Sequence, residues 1–493
     1  MKLFNIPFAI GLCIDDMGWR LCRNDKAVGG PPRLHGTEDP RPEFYKGIVE
    51  MAKNCGVRVQ GSFIMSEFDK NNICAKPCYN KPEAPIDITE KGLNWTNEVS
   101  EEDSQIMDYV KEENAYLEFG LHGVRHGHFE GGKFHESEWA NRPFRDEKDK
   151  IIGEEKNVLP WDKENKTNEV IADCYTELIR QYFTEEELSF PETFAPPHHA
   201  LYYNKNDKFT TGNCLGKRGV KYANSKLTGT LKLECDAPRY GVVDCGMHLV
   251  DRRTLRRSSC GRAAENPLYF PRPVPWIETH FINFWYRESE WSHYLFNINK
   301  RKHRMLGKNT EQIHSQFVYN KFARIYNLPG KIIIDTTRVP DEIYENNLLS
   351  ALVLKVKLKW NEHVETVEGA TLTCYYKDQF GYSYLTLGSN EEMGRLPKGK
   401  FVIKYKVSKN KPKVYVDNAY STFNVYNLTV NDSEVVLKLK NYGTQTIRMK
   451  CFEPKKIDSD LNILNTYYAE GFLYITLKSK SMNGDTGEVV IRK

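Results

Sequence analysis

Phe8-Ala9-Ile10-Gly11-Leu12-Cys13-Ile14-Asp15-Asp16 is the stretch that decides the fold. Its first seven residues form an unbroken apolar run, which reads as a strand buried on both faces, as in a parallel sheet. The run ends in two adjacent carboxylates. Outward from it, strand and helix signals alternate. Pro42-Glu43-Phe44-Tyr45 opens a helix with proline in its first turn, running to Asn54. Gly56 to Ile64 reads as a second strand, Ser100-Glu101-Glu102-Asp103 starts a helix reaching Glu113, and Leu117–Leu121 is a third strand. This alternation predicts a parallel sheet, open or closed into a barrel. Such sheets carry functional side chains at the C-terminal ends of their strands.

The connections are long. Gly18 to Arg41 and Glu67 to Val99 are rich in Pro, Asn, Lys and Gly, and residues 127–190 are strongly polar with a helix around Asn168–Phe183. Loops of this length act as lids or decoration. Asn309–Tyr326 reads as an amphipathic helix, with Ile313, Phe317, Phe322 and Ile325 near helical spacing. The character changes after Gly330. Lys331–Ile334, Ala351–Leu358, Ala370–Tyr376, Lys400–Val407, Ser433–Leu439 and Phe472–Leu477 are short apolar or alternating runs separated by turn residues. Residues 1–330 therefore read as an α/β domain and 331–493 as an all-β sandwich.

Composition narrows the function. Lys and Arg number 70 against 66 Asp and Glu, a net charge of +4 with no long basic block, so nucleic acid is not indicated. Arg252-Arg253 and Arg256-Arg257 read as a solvated basic loop. No apolar run is long enough for a transmembrane helix. The apolar N-terminal run ends in Asp15-Asp16 rather than at a small-residue cleavage site, which favours a cytoplasmic protein. Twelve cysteines are scattered. Cys13 and Cys55 read as small core residues, while Cys74 and Cys78 form a weak C-x3-C pair in a polar loop.

Four motifs carry chemistry. Asp15-Asp16 at a strand end places two repelling carboxylates together, a cost that a cation relieves; a polar strand cap is the plainer alternative. His122 and His126 are four apart just past a buried strand, flanked by Gly120, Gly123 and Gly127 that let the backbone turn sharply. Two His and one Asp suffice to hold a divalent metal, leaving the other Asp as a candidate base. His128 and His135 read as solvated loop residues. Phe194-Ala195-Pro196-Pro197-His198-His199 is a stiff turn that can present a backbone N–H rigidly, as an oxyanion site requires, with Pro197 and His198 at its centre. Glu278 and His280 share one face of the apolar strand beginning at Trp276, where a buried Glu is costly unless paired or functional, and His280 suits a general acid. Trp19, Trp139, Trp276 and Trp285 are candidates for stacking on sugar rings, although core packing is the commoner role of tryptophan.

Taken in order, these motifs resemble the polysaccharide deacetylase family, over roughly residues 5–290. The resemblance implies a distorted (β/α) barrel of about seven strands. It also implies Asp15 as catalytic base, Asp16, His122 and His126 as ligands of zinc or a similar divalent ion, and His280 as general acid. Three positions depart from the family pattern. Gly123 stands where Ser or Thr is usual, Ala195 where an Arg holds the base, and Glu278 where a Leu lines the acetyl pocket. The implied activity is metal-assisted removal of an acyl group, acetyl first, from an N-acylated sugar or polysaccharide. Glu278 and Trp285 would lend electrostatic or substrate support. The alternatives are a related hydrolase of a non-sugar C–N bond and a non-catalytic carbohydrate-binding protein on a degenerate barrel.

Overall fold

A computed structural model describes residues 2–18, 42–71, 73, 99, 101–124, 128–130, 133–135, 139, 169–199, 201, 203, 209–227, 241–255, 274–281, 284 and 287–493. Seven strands close into a parallel barrel: β1 (Phe8–Met17), β2 (Val59–Phe63), β3 (Leu117–Leu121), β4 (Thr193–Phe194), β5 (Tyr222–Ser225), β6 (Met247–Thr254) and β7 (Trp276–His280). They pair in that order, and β7 returns to β1 with Gly11 opposite Trp276, Cys13 opposite Glu278 and Asp15 opposite His280. A short eighth strand, β8 (Arg304–Leu306), pairs with Phe8–Ile10 at the start of β1. Helices α1 (Pro42–Cys55), α2 (Glu101–Glu112) and α3 (Glu169–Glu185) follow β1, β2 and β3, and α4 (Glu288–Ile298) follows β7. The apolar N-terminal run is thus the buried parallel strand its composition predicts, with every residue of β1 buried.

Helix α5 (Thr310–Phe322) departs from the sequence reading. Asn309 caps it by accepting the Gln312 N–H at 2.9 Å. Ten consecutive residues from Thr310 to Tyr319 are buried, so it has no solvent face, and Ile325 and Tyr326 belong to the following strand. Its polar residues are buried because they are paired. Gln316 donates to the Pro7 and Val353 carbonyls at 3.0 and 2.9 Å, Glu311 accepts from Tyr426 and Asn424 at 3.0 and 2.8 Å, and Thr310 donates to Glu118. Ile313 reaches Gly11 of β1, where an added Cβ would lie 2.7 Å from Trp276 and closer still to Ile313. His314 accepts the Trp276 indole N–H at 3.1 Å. The helix therefore sits against the N-terminal ends of the barrel strands.

The C-terminal region is antiparallel apart from one short parallel pairing. One eight-stranded sheet runs through it, and two four-stranded sheets pack on it. A second apolar core, with Val416, Leu437, Ile447, Ile475 and Val489, lies under one of these and is separate from the core shared with the barrel. The N-terminal residues Phe4–Asn5 form the edge strand of the long sheet, pairing with Leu352–Lys357. Among the described residues no helix is long and apolar enough to cross a membrane. Cys13, Cys55, Cys214, Cys374 and Cys451 are buried free thiols. Cys74, Cys78, Trp19, Arg256 and Arg257 lie outside the described residues.

Candidate metal and catalytic site

Adjacent strand residues point to opposite faces, so Asp15 and Asp16 can share a site only if the strand is irregular. It is. The β1–β2 register slips between Ile14 and Met17, an extra residue on β1, and Asp16 takes the left-handed conformation at φ 62°. A bulge with one residue in that region, which Asp tolerates better than most side chains, brings both carboxylates to the C-terminal mouth of the barrel. Asp15 and Asp16 are 2 % and 3 % exposed.

Asp16 faces two histidines. His122 Nε2 lies 3.3 Å from its Oδ1, and His280 Nε2 lies 3.6 Å from its Oδ2. His122 follows β3, and its Nδ1 is 2.7 Å from the Ala195 carbonyl. An oxygen there can only accept, so Nδ1 carries a proton, and Nε2 faces Asp16 as a lone pair when the ring is neutral and as an N–H when it is protonated. A lone pair facing a carboxylate is repulsive unless a proton or a cation lies between them. Burial by itself pulls His122 down, but Asp15 and Asp16 outweigh it and the imidazole is held above its usual range. An imidazole oriented by a backbone carbonyl beside a carboxylate is the arrangement of a metal ligand. His126 lies outside the described residues.

Asp15 is held by Arg252. The guanidinium makes two contacts to the carboxylate, 3.1 Å to Oδ1 and 2.9 Å to Oδ2, and the Cys13 thiol donates to Oδ1 at 3.3 Å. Burial alone would raise the Asp15 carboxyl. Arg252, His122 and His280 more than reverse that, and it sits below the usual carboxylate range. Asp15 is thus held by an arginine from β6, where the resemblance places one at position 195. This overturns the reading of Arg252-Arg253 as a solvated loop: Arg252 is 2 % exposed inside the barrel, and Arg253 faces the other way, half-buried. The signal for it was the strand alternation itself, because two neighbouring arginines on a strand cannot both face water.

Arg252 also ties in the remaining groups. Its Nε lies 3.4 Å from Glu278 Oε2, its Nη1 donates to Asn224 at 3.2 Å, and its Nη2 lies 2.8 Å from His199 Nδ1. His199, with φ 59°, closes the Pro-Pro turn and presents Nε2 3.7 Å from Glu278. It is a functional candidate that the sequence reading passed over in favour of His198. Pro197 is buried in that turn and has no N–H, and the His199 N–H is taken by the Pro196 carbonyl at 3.2 Å. Glu278 is 1 % exposed; Thr254 donates to its Oε2 at 3.0 Å, while its Oε1 has no hydrogen-bond partner among the described residues.

Asp15, Glu278 and His280 each bring one donor atom within 4.8 Å of the others. Arg252 serves as the cation of that group. The three carboxylates set against one guanidinium leave an excess of buried negative charge that a divalent ion would balance. The donor set thus fits a divalent metal at Asp16 and His122. His280, its side chain 34 % exposed, stands at the edge of the site. Trp276 and Trp139 are fully buried core residues and unsuited to stacking on a sugar, and Trp285 lies outside the described residues. His128 and His135 are register partners in a two-stranded ribbon. The chain matches no protein-family model, and no curated protein is significantly similar to it.

Proposed function

We propose that the protein is a metal-dependent hydrolase of the polysaccharide-deacetylase type, acting on an N-acylated sugar. The observation that carries the reading is the division of labour between the two aspartates. Asp15 is clamped and kept ionised by Arg252, while Asp16 faces the Nε2 of an imidazole whose other nitrogen is fixed by the Ala195 carbonyl. A divalent ion, zinc being the first candidate, would be held by Asp16 and His122 with His126 as third ligand, and would supply a Lewis acid and a water acidified toward about pH 7.

Around that ion the chain's own residues have distinct tasks. Asp15 accepts the proton of the attacking water at the carboxylate that Arg252 orients. His280, beside Asp16 and open to solvent on one side, delivers a proton to the departing nitrogen. In the Pro197–His199 turn, the His198 N–H is the candidate donor to the developing oxyanion. Arg252 and Asn224 keep these groups in register beneath the site.

The test is metal analysis paired with acetate release from N-acetylated oligosaccharides. Asp16→Asn and His122→Ala should lose the ion. Asp15→Asn should keep it and lose about 100-fold or more in rate. A protein that takes up no stoichiometric divalent ion, or an Asp15→Asn variant as active as the parent, sinks the reading. One observation favours a different acyl group. The unpartnered Glu278 Oε1 suits an amide whose acyl part carries a hydrogen-bond donor, and faster hydrolysis of N-glycolyl than N-acetyl sugars would select that version.

A further inference from the structure

The barrel and the β region enclose a second cavity, of about 510 Å³, away from the strand ends that carry the aspartates. Its wall comes from the end of α1, from α4, from the segment after β8, and from two turns of the β region. Leu306, Cys55 and Lys308 are buried, whereas Asn54, Gln379 and Tyr420 are exposed, so the cavity reaches solvent at that rim. Tyr376, Phe380 and Tyr420 supply aromatic surface, and Asn54, Asn299 and Gln379 supply amide groups.

Lys308 is the unusual residue. It is 4 % exposed, and its ammonium donates to the Ala419 carbonyl and stands 5.1 Å from the Tyr376 ring centre, both of them cavity-lining residues. Among the described residues no carboxylate lies within ion-pair distance of it, although Asp417 acts on it from farther off. An ammonium has three donors, and here a single acceptor is matched to them. Burial accordingly pulls it down to about 8. The other lining charges differ. Lys377 spends its ammonium on the carbonyls of Lys359, Trp360 and Glu362. Asp378, the one lining acid, is fully engaged by the N–H groups of Phe380 and Tyr382 and the Tyr384 hydroxyl. Lys300 lies over the Phe380 ring and Lys357 donates to the Phe380 carbonyl, so the surroundings are basic.

We infer that this cavity binds a carboxylate-bearing sugar residue, its carboxylate on Lys308 and its ring against Tyr376, Phe380 and Tyr420. A buried, under-bonded cation selects an anion. Aromatic faces with amides around them suit a ring that is apolar on one side and hydroxylated at its edge. Bare phosphate would use the charge and leave the aromatic wall uncovered. The inference is independent of the proposed hydrolase, since no residue is shared between the two sites.

The experiment is calorimetric titration of the full chain with trigalacturonate, with galactotriose and inorganic phosphate as controls. Trigalacturonate should bind, and Lys308→Met should weaken it roughly 30-fold or more, the usual loss on removing one member of a buried charge pair. Tyr420→Ala, at the exposed rim, should weaken it less and keeps the test open if Lys308→Met fails to fold. Absence of trigalacturonate binding, equal binding of galactotriose, phosphate binding as tightly as the sugar acid, or rim and Lys308 variants that bind like the parent would each overturn the assignment.

Discussion

Asp16 shows how one backbone torsion makes a site. At φ 62°, beside a one-residue register slip, it turns a strand end that would splay its carboxylates into one that converges them. Strain of this kind persists only where surrounding structure over-determines it. The second decisive residue is Arg252, which serves Asp15, Glu278, Asn224 and His199 at once. Replacing it by Met leaves two buried carboxylates without their shared counter-charge, and we expect a loss of about 3–5 kcal/mol in denaturant unfolding. Arg252→Lys should recover part of that stability but little catalytic rate, because an ammonium cannot reproduce the two-point contact. Equal stability of Arg252→Met and the parent would show that Asp15 is held by something else.

Among the elements, α5 departs most from expectation. Its apolar spacing is real, but its polar positions face partners rather than water, because the barrel lies on one side and the β region on the other. Gly11 of β1 is the contact that lets it approach. Gly11→Ala should cost about 1–3 kcal/mol, read as a lowered urea midpoint with an unchanged slope, since the added methyl would press on Trp276 and Ile313, both fully buried. Lys355 holds the other junction. It is completely buried, with its ammonium on the carbonyls of Asn299, Arg301 and Arg304 at 2.8, 2.9 and 2.7 Å and Tyr382 at 4.2 Å from ring centre to nitrogen.

At the scale of the whole molecule, barrel and β region share one apolar core, and buried polar contacts also cross their seam. Arg58 donates to Glu118 and to the Asn114 and Met482 carbonyls, each at 2.8 Å. Glu192, between β4 and α3, accepts from Lys221 at 2.7 Å and from Lys440 of the β region at 2.9 Å. Burial pushes the Glu192 carboxyl up, but Lys440 and Lys221 together bring it below its usual range. A depressed acid contributes stability that is present above its unfolded value, about 4.3, and lost as pH falls through the folded one. Glu192→Gln should therefore lower stability by about 1–2 kcal/mol at pH 7, with the difference from the parent shrinking below about pH 4. Thermal unfolding at both pH values checks this, and a constant difference would remove Glu192 from the acid response.

The first three barrel strands with the helices around them, the β-rich C-terminal region, the strand that carries Asp15 and Asp16, and the shared face of Glu278 and His280 were readable in the sequence, whereas the short strands Thr193–Phe194, Tyr222–Ser225 and Met247–Thr254 were not. What was readable rests on local periodicity, which a short window contains. Several strands of the β region, such as Tyr382–Gly388 and Thr444–Lys450, escaped notice because their alternation is weak or polar. Closure of the barrel, the convergence of the two carboxylates, the burial of α5, and the pairing of Arg252 with Asp15 were decided by tertiary structure alone. Asp15 and Arg252 are 237 residues apart. No local pattern records that separation; it is set when β7 returns to β1 and the inner faces of all seven strands must share one interior.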